Sequence, residues 1–83
     1  MVEELYNLIN TYFPGAKFEL DDFTEDRITG SLIWKVFEDY SQLERQKMFR
    51  ERIRNKLPVE LELHVGFILT LTPSEAEVMS QNV

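Results

Sequence analysis

From Leu61 to Leu71 the chain alternates: Leu61, Leu63, Val65, Phe67, Leu69 and Leu71 share one parity, and Glu62, His64, Gly66, Ile68 and Thr70 share the other. Successive strand side chains point to opposite faces of a sheet, so this row predicts a strand after Pro58 with one face buried and the other open. Leu63, Val65, Phe67 and Leu69 are the expected core. His64 is expected to be accessible on the polar face, and Ile68 and Ile33 are the apolar groups expected on the open face, where they would mark an interface.

The preceding segments supply the partners of this strand. Residues 2 to 13 place Val2, Leu5, Tyr6, Ile9, Tyr12 and Phe13 at helical spacing, and Pro14-Gly15 stops the helix. Lys17 to Leu20 reads as a short strand, and the acidic run Asp21 to Asp26 as a turn. Ile28 to Phe37, rich in β-branched and aromatic residues, reads as a second, antiparallel strand with Ile28, Leu32, Trp34 and Val36 on one parity. Ser41 and Glu44 have the spacing of a capping box, opening a helix expected to run to about Leu57 with Leu43, Phe49, Ile53 and Leu57 on one arc. Thr72-Pro73-Ser74-Glu75 combines an N-cap, a proline at the first helical position and a Glu at the third, and starts a last helix. The order αββ(α)αβα predicts an α+β domain over residues 1–83: a three-stranded mixed sheet with helices on one face.

Composition limits the chemistry. The chain has no cysteine, which removes disulfides, thiolate nucleophiles and protein-held sulfur ligands, and gives no sign of an oxidising compartment. Met1 leads directly into Glu3-Glu4 and no stretch approaches the ~18 apolar residues of a membrane span, so a cytoplasmic protein without membrane association is expected. One His and three Gly give neither a nucleophile elbow nor a phosphate-binding loop, so catalysis is not expected. The acidic run lacks calcium-loop spacing. A net charge of −6 opposes nucleic-acid wrapping, yet six of the nine basic residues lie between 45 and 56, namely Arg45, Lys47, Arg50, Arg52, Arg54 and Lys56. Such residues commonly flank a core-facing stripe and solvate a helix. His64 is the residue best suited to meet a metal or a partner.

Phe37, Leu43, Arg45, Lys47, Met48 and Phe49, followed by His64, Thr70, Thr72-Pro73 and Glu75, resemble the BolA family over about residues 28 to 78. The departures are Asp39 where a Gly is common, Gln46 in place of a His, and Ala76 where a Trp is frequent. The resemblance implies a fold similar to type II KH domains and an adaptor that binds a monothiol glutaredoxin-like protein. It also implies a role in iron–sulfur trafficking, iron homeostasis or stress response. His64 corresponds to a ligand of a [2Fe–2S] cluster shared with the partner, with Arg45, Lys47, His64 and Ile68 as partner-binding residues. The family's second ligand, a His or Cys between the first two strands, has no equivalent among Asp21, Asp22, Thr24, Glu25 and Asp26. A shared cluster should therefore be labile, and a His or Cys at Thr24 or Glu25 should prolong its life only when His64 is present. By itself the chain would be a monomer or weak homodimer. The alternative reading is a DNA-binding, KH-like regulator using the basic helix 42–57 through Lys47, Arg50 and Arg54. It lacks a Gly-x-x-Gly clamp loop.

Overall fold

A computed structural model describes residues 2–23 and 27–81. Helix α1 spans Val2–Tyr12, strand β1 Lys17–Phe23 and strand β2 Ile28–Ile33. A 3₁₀ turn at Lys35–Asp39 leads to helix α2, Gln42–Arg52, and a second 3₁₀ turn, Arg54–Lys56, follows it. Helix α3 is a single turn at Val59–Glu62, strand β3 spans Val65–Leu71 and helix α4 spans Pro73–Gln81. The strands lie in the order β1-β2-β3, with β1 antiparallel and β3 parallel to β2. This is the expected α+β domain with a three-stranded mixed sheet. Among the described residues no helix is long and apolar enough to cross a membrane.

Leu5, Ile9 and Phe13 of the α1 segment and Phe49 and Ile53 of the α2 segment pack with Phe18, Ile28, Leu32 and Ile68 into one core. Phe13, Trp34 and Phe37 meet edge to face with ring centroids 5.0 to 5.9 Å apart, and Trp34 Nε1 donates to Pro14 O at 2.9 Å. These contacts join the end of α1 to the turn after β2, and T-shaped ring pairs stabilise beyond their buried area. Both expected capping boxes form. Glu44 N donates to Ser41 Oγ and Ser41 N to Glu44 Oε1, while Glu75 N donates to Thr72 Oγ1 and Thr72 N to Glu75 Oε1.

Several boundaries differ from the pattern reading. β1 continues past Leu20 with a register shift between Leu20 and Asp22, so part of the acidic run is strand, while Thr24, Glu25 and Asp26 lie outside the described residues. β2 stops at Ile33, because the chain turns so that Phe37 enters the core and Val36 faces solvent. α2 becomes 3₁₀ after Arg52, and Leu43 is 80 % exposed rather than on the buried arc.

The largest correction concerns the alternating row. Leu61 is buried, but from helix α3 rather than from a strand, and the strand begins only at Val65. Within it Ile28 pairs with Val65 and Gly30 with Ile68, so Gly66 and Phe67 together oppose Thr29. This two-against-one bulge reverses the parity. Phe67 is 63 % exposed and Leu63, in the turn before the strand, 74 % exposed, whereas Ile68 is 1 % exposed and in the core.

Candidate functional site

β3 is an edge strand, and an open edge offers unpaired backbone groups to any passing strand. Helix α2 covers this one with polar side chains. Gln42 Nε2 donates to Thr70 O at 3.0 Å, Gln46 Nε2 to Ile68 O at 3.0 Å, and Arg45 Nη1 to Thr70 O at 3.3 Å. Further along, Arg54 donates through Nη1 to Val65 O and through Nη2 to Gly66 O. Thr70, buried on the same strand, donates from its hydroxyl to Gln42 Oε1 and accepts from Gln46.

This arrangement changes the meaning of the basic cluster. Arg45 is 6 % exposed; its Nε donates to Phe37 O and Tyr40 O, and its Nη1 lies 2.8 Å from Glu75 Oε1. It is a buried strut between the turn after β2, β3 and α4, not an accessible partner-binding group. Ile68, a second expected partner contact, is likewise in the core. Arg52 Nη1 donates to Tyr12 O at 3.2 Å and lies over Phe13, while Lys56 lies over Tyr12, so both tie the α2 end to the α1 end. There the cations also complement the negative end of α1. Arg54 is half-buried and engaged. Of the residues expected to meet nucleic acid, Lys47 and Arg50 stand exposed and Arg54 does not.

His64 sits in the turn between α3 and β3 and is half-buried. Its backbone is tied on both sides: His64 N donates to Leu61 O at 3.0 Å, and His64 O accepts from Ile28 N at 2.8 Å. The second bond sets His64 beside the first residue of β2, at the end of the sheet where β1 and β2 are joined. Among the described residues its imidazole has no hydrogen-bond partner. Val59 and Leu63, one helical turn apart, and Phe67 in the bulge are exposed apolar groups close to it in the chain. Exposed apolar groups are a common mark of a partner surface, and a neutral imidazole can serve as a nitrogen ligand.

The donor set is small. Among the described residues no three His, Cys, Asp or Glu side chains come together to hold a metal, and the chain has no cysteine. Among the described residues His64 is thus a single nitrogen donor.

A second apolar region lies along α4, none of whose described side chains is fully buried. Val78 and Met79 are exposed and, with Gln42, Leu71, Ser74 and Glu75, line a groove of about 450 Å³. A smaller cavity of about 210 Å³ lies between Ala76, Met79 and Ser80 of α4 and the sheet face bearing Ser31, Ile33 and Leu69, so Ile33 is partly covered. The Thr72 cap and the Arg45 guanidinium hold the Glu75 carboxyl below its usual range, the backbone N–H of Thr72 contributing most.

Pattern reasoning missed Gln42, Gln46 and Arg54 as the groups that close the β3 edge. For the two glutamines the one signal is spacing, since positions 42 and 46 lie on the same helical face as the buried Phe49. No family model and no curated protein matches the chain.

Proposed function

We propose that this domain is a BolA-like adaptor that binds a monothiol glutaredoxin-type partner and, through His64, helps to hold or pass on a [2Fe–2S] cluster in the cytoplasm. Its work is binding rather than catalysis. The observation that carries this reading is His64 itself: an imidazole without a hydrogen-bond partner among the described residues, on a turn anchored to β2, with Val59, Leu63 and Phe67 exposed nearby in the chain. The resemblance in residues 28 to 78 and the order of helices and strands support it. The thiolates must come from the partner, because the chain has none. The cluster is cargo, and this chain's share of the chemistry is one nitrogen donor, which raises the potential of a cluster relative to thiolate ligation.

The test is optical. The protein is mixed with a monothiol glutaredoxin, iron, sulfide and glutathione, and the visible absorption and circular dichroism of the cluster are recorded. The wild-type chain should change the spectrum that glutaredoxin gives alone, and His64→Ala should return it to that spectrum. Identical spectra for wild type and His64→Ala would overturn the proposal. The same samples passed over DNA at rising salt examine the KH-like reading. That reading has lost Arg54 to the β3 bulge and keeps only Lys47 and Arg50 of its named residues exposed. Retention that falls steeply with salt and disappears when both are changed to Gln would favour nucleic acid instead.

A further inference from the structure

We infer that Arg54 is the positioning residue of His64, an inference that rests on the proposed ligand role and adds to it the group that aims the ligand. Three bonds from one guanidinium bracket the histidine. Arg54 Nη1 lies 3.0 Å from Glu62 Oε1 on the N-terminal side of His64, and the same nitrogen donates to Val65 O at 3.3 Å on the C-terminal side. Nη2 donates to Gly66 O.

Consecutive carbonyls of a regular strand point to opposite edges, so one side chain cannot ordinarily reach two in a row. The bulge at Gly66 and Phe67 brings both within reach of Arg54. A planar fork of donors can meet three acceptors at once, which the single ammonium of a lysine cannot do in the same geometry. On its other side Gly66 lies close to Arg27 and Thr29: a Cβ there would stand 2.9 Å from Arg27 Cγ and 3.0 Å from Thr29 Cγ2.

The clamp matters for His64 because no described side chain hydrogen-bonds its ring. The Cα–Cβ direction from which the imidazole projects is set by the backbone from Glu62 to Val65, which is held by Ile28 on one side and by Arg54 on the other. Groups that orient a ligand without touching the metal typically change affinity by about 10–100-fold when removed.

The experiment compares wild type, Arg54→Met, Arg54→Lys, Glu62→Gln and His64→Ala in the full chain. In the free protein, NMR follows the His64 ring signals and the hydrogen exchange of the amides from 62 to 66. In the complex with a monothiol glutaredoxin, the lifetime of the shared cluster is measured. Arg54→Met should shift or broaden the ring signals, speed exchange from 62 to 66 while α1 keeps its protection, and shorten cluster lifetime about 10–100-fold. Arg54→Lys should fall between, keeping the attraction to Glu62 and losing the fork. If Arg54→Met does not fold, Glu62→Gln, which removes one end of the clamp, should move the ring signals in the same direction by less. Unchanged ring signals and lifetime in the folded variants, with His64→Ala still abolishing the cluster spectrum, would overturn the role of Arg54 and leave the ligand proposal standing. A cluster indifferent to His64→Ala would overturn the ligand proposal, and the ring signals of the free protein would then decide alone whether Arg54 holds the imidazole.

Discussion

Ile68→Ala and Phe67→Ala should differ in the opposite sense to the one that the alternation from Leu61 to Leu71 suggests. Ile68 lies in the core and Phe67 in solvent, because the bulge places Gly66 and Phe67 together opposite Thr29. Shortening Ile68 removes three buried carbons, about 2.4 kcal/mol at ~0.8 kcal/mol each. The cavity left in the core brings the loss into the ~2–5 kcal/mol range for such changes. Phe67→Ala removes mostly exposed surface and should stay within about 0.5 kcal/mol of wild type. Against a total stability of ~5–15 kcal/mol for a domain of this class, the first change is severe. Equilibrium urea unfolding by circular dichroism reads both, and at ~4–8 °C per kcal/mol a thermal scan should separate the variants by at least about 8 °C. A larger loss for Phe67→Ala than for Ile68→Ala would refute the bulge and restore strict alternation along the strand.

Three further outcomes follow from the same framework. Gly30→Ala should cost more than Gly66→Ala in urea unfolding, since a Cβ at Gly30 would stand 2.3 Å from the Glu19 backbone oxygen, whereas at Gly66 it meets side-chain atoms that can give way. Ser41→Ala should lose about 1 kcal/mol by removing the acceptor for Glu44 N. Because the Glu75 carboxyl is held below its ordinary value, its contribution is complete above that value and lost as pH falls through the lower folded one. Stability measured from neutral pH into the acid range should therefore fall less steeply below about pH 4.5 in Glu75→Gln than in wild type; parallel curves would show that Arg45 and Thr72 do not favour the charged form.

The parts of the fold that were legible in the sequence are those that local chemistry decides. Pro14-Gly15 ends α1, Gly15 having the positive φ that a stop of this kind uses, and the two capping boxes start α2 and α4 where their spacing says. The alternating row misled because Leu61 is buried equally well from a helical turn as from a strand, and because the later reversal at Phe67 comes from a bulge whose carbonyls are met by Arg54, eleven residues upstream of Val65. Arg45 illustrates the same gap: a buried guanidinium is exceptional unless its donors are met, and its acceptors come from Phe37, Tyr40, Thr70 and Glu75, groups that only the folded chain assembles. His64, expected on the polar face of a strand, stands instead in the turn before β3 and is half-buried, because the strand begins only at Val65.

Isotopic labelling tests most directly whether a nitrogen of His64 ligates a cluster shared with a partner. This chain alone is labelled with ¹⁵N, the cluster is assembled with an unlabelled monothiol glutaredoxin and glutathione, reduced to its paramagnetic state and studied by pulsed electron paramagnetic resonance. Ligation by His64 should give a strong ¹⁵N hyperfine coupling from directly bound imidazole, present in wild type and absent in His64→Ala. A reduced cluster in the wild-type complex with no strong ¹⁵N coupling would contradict it.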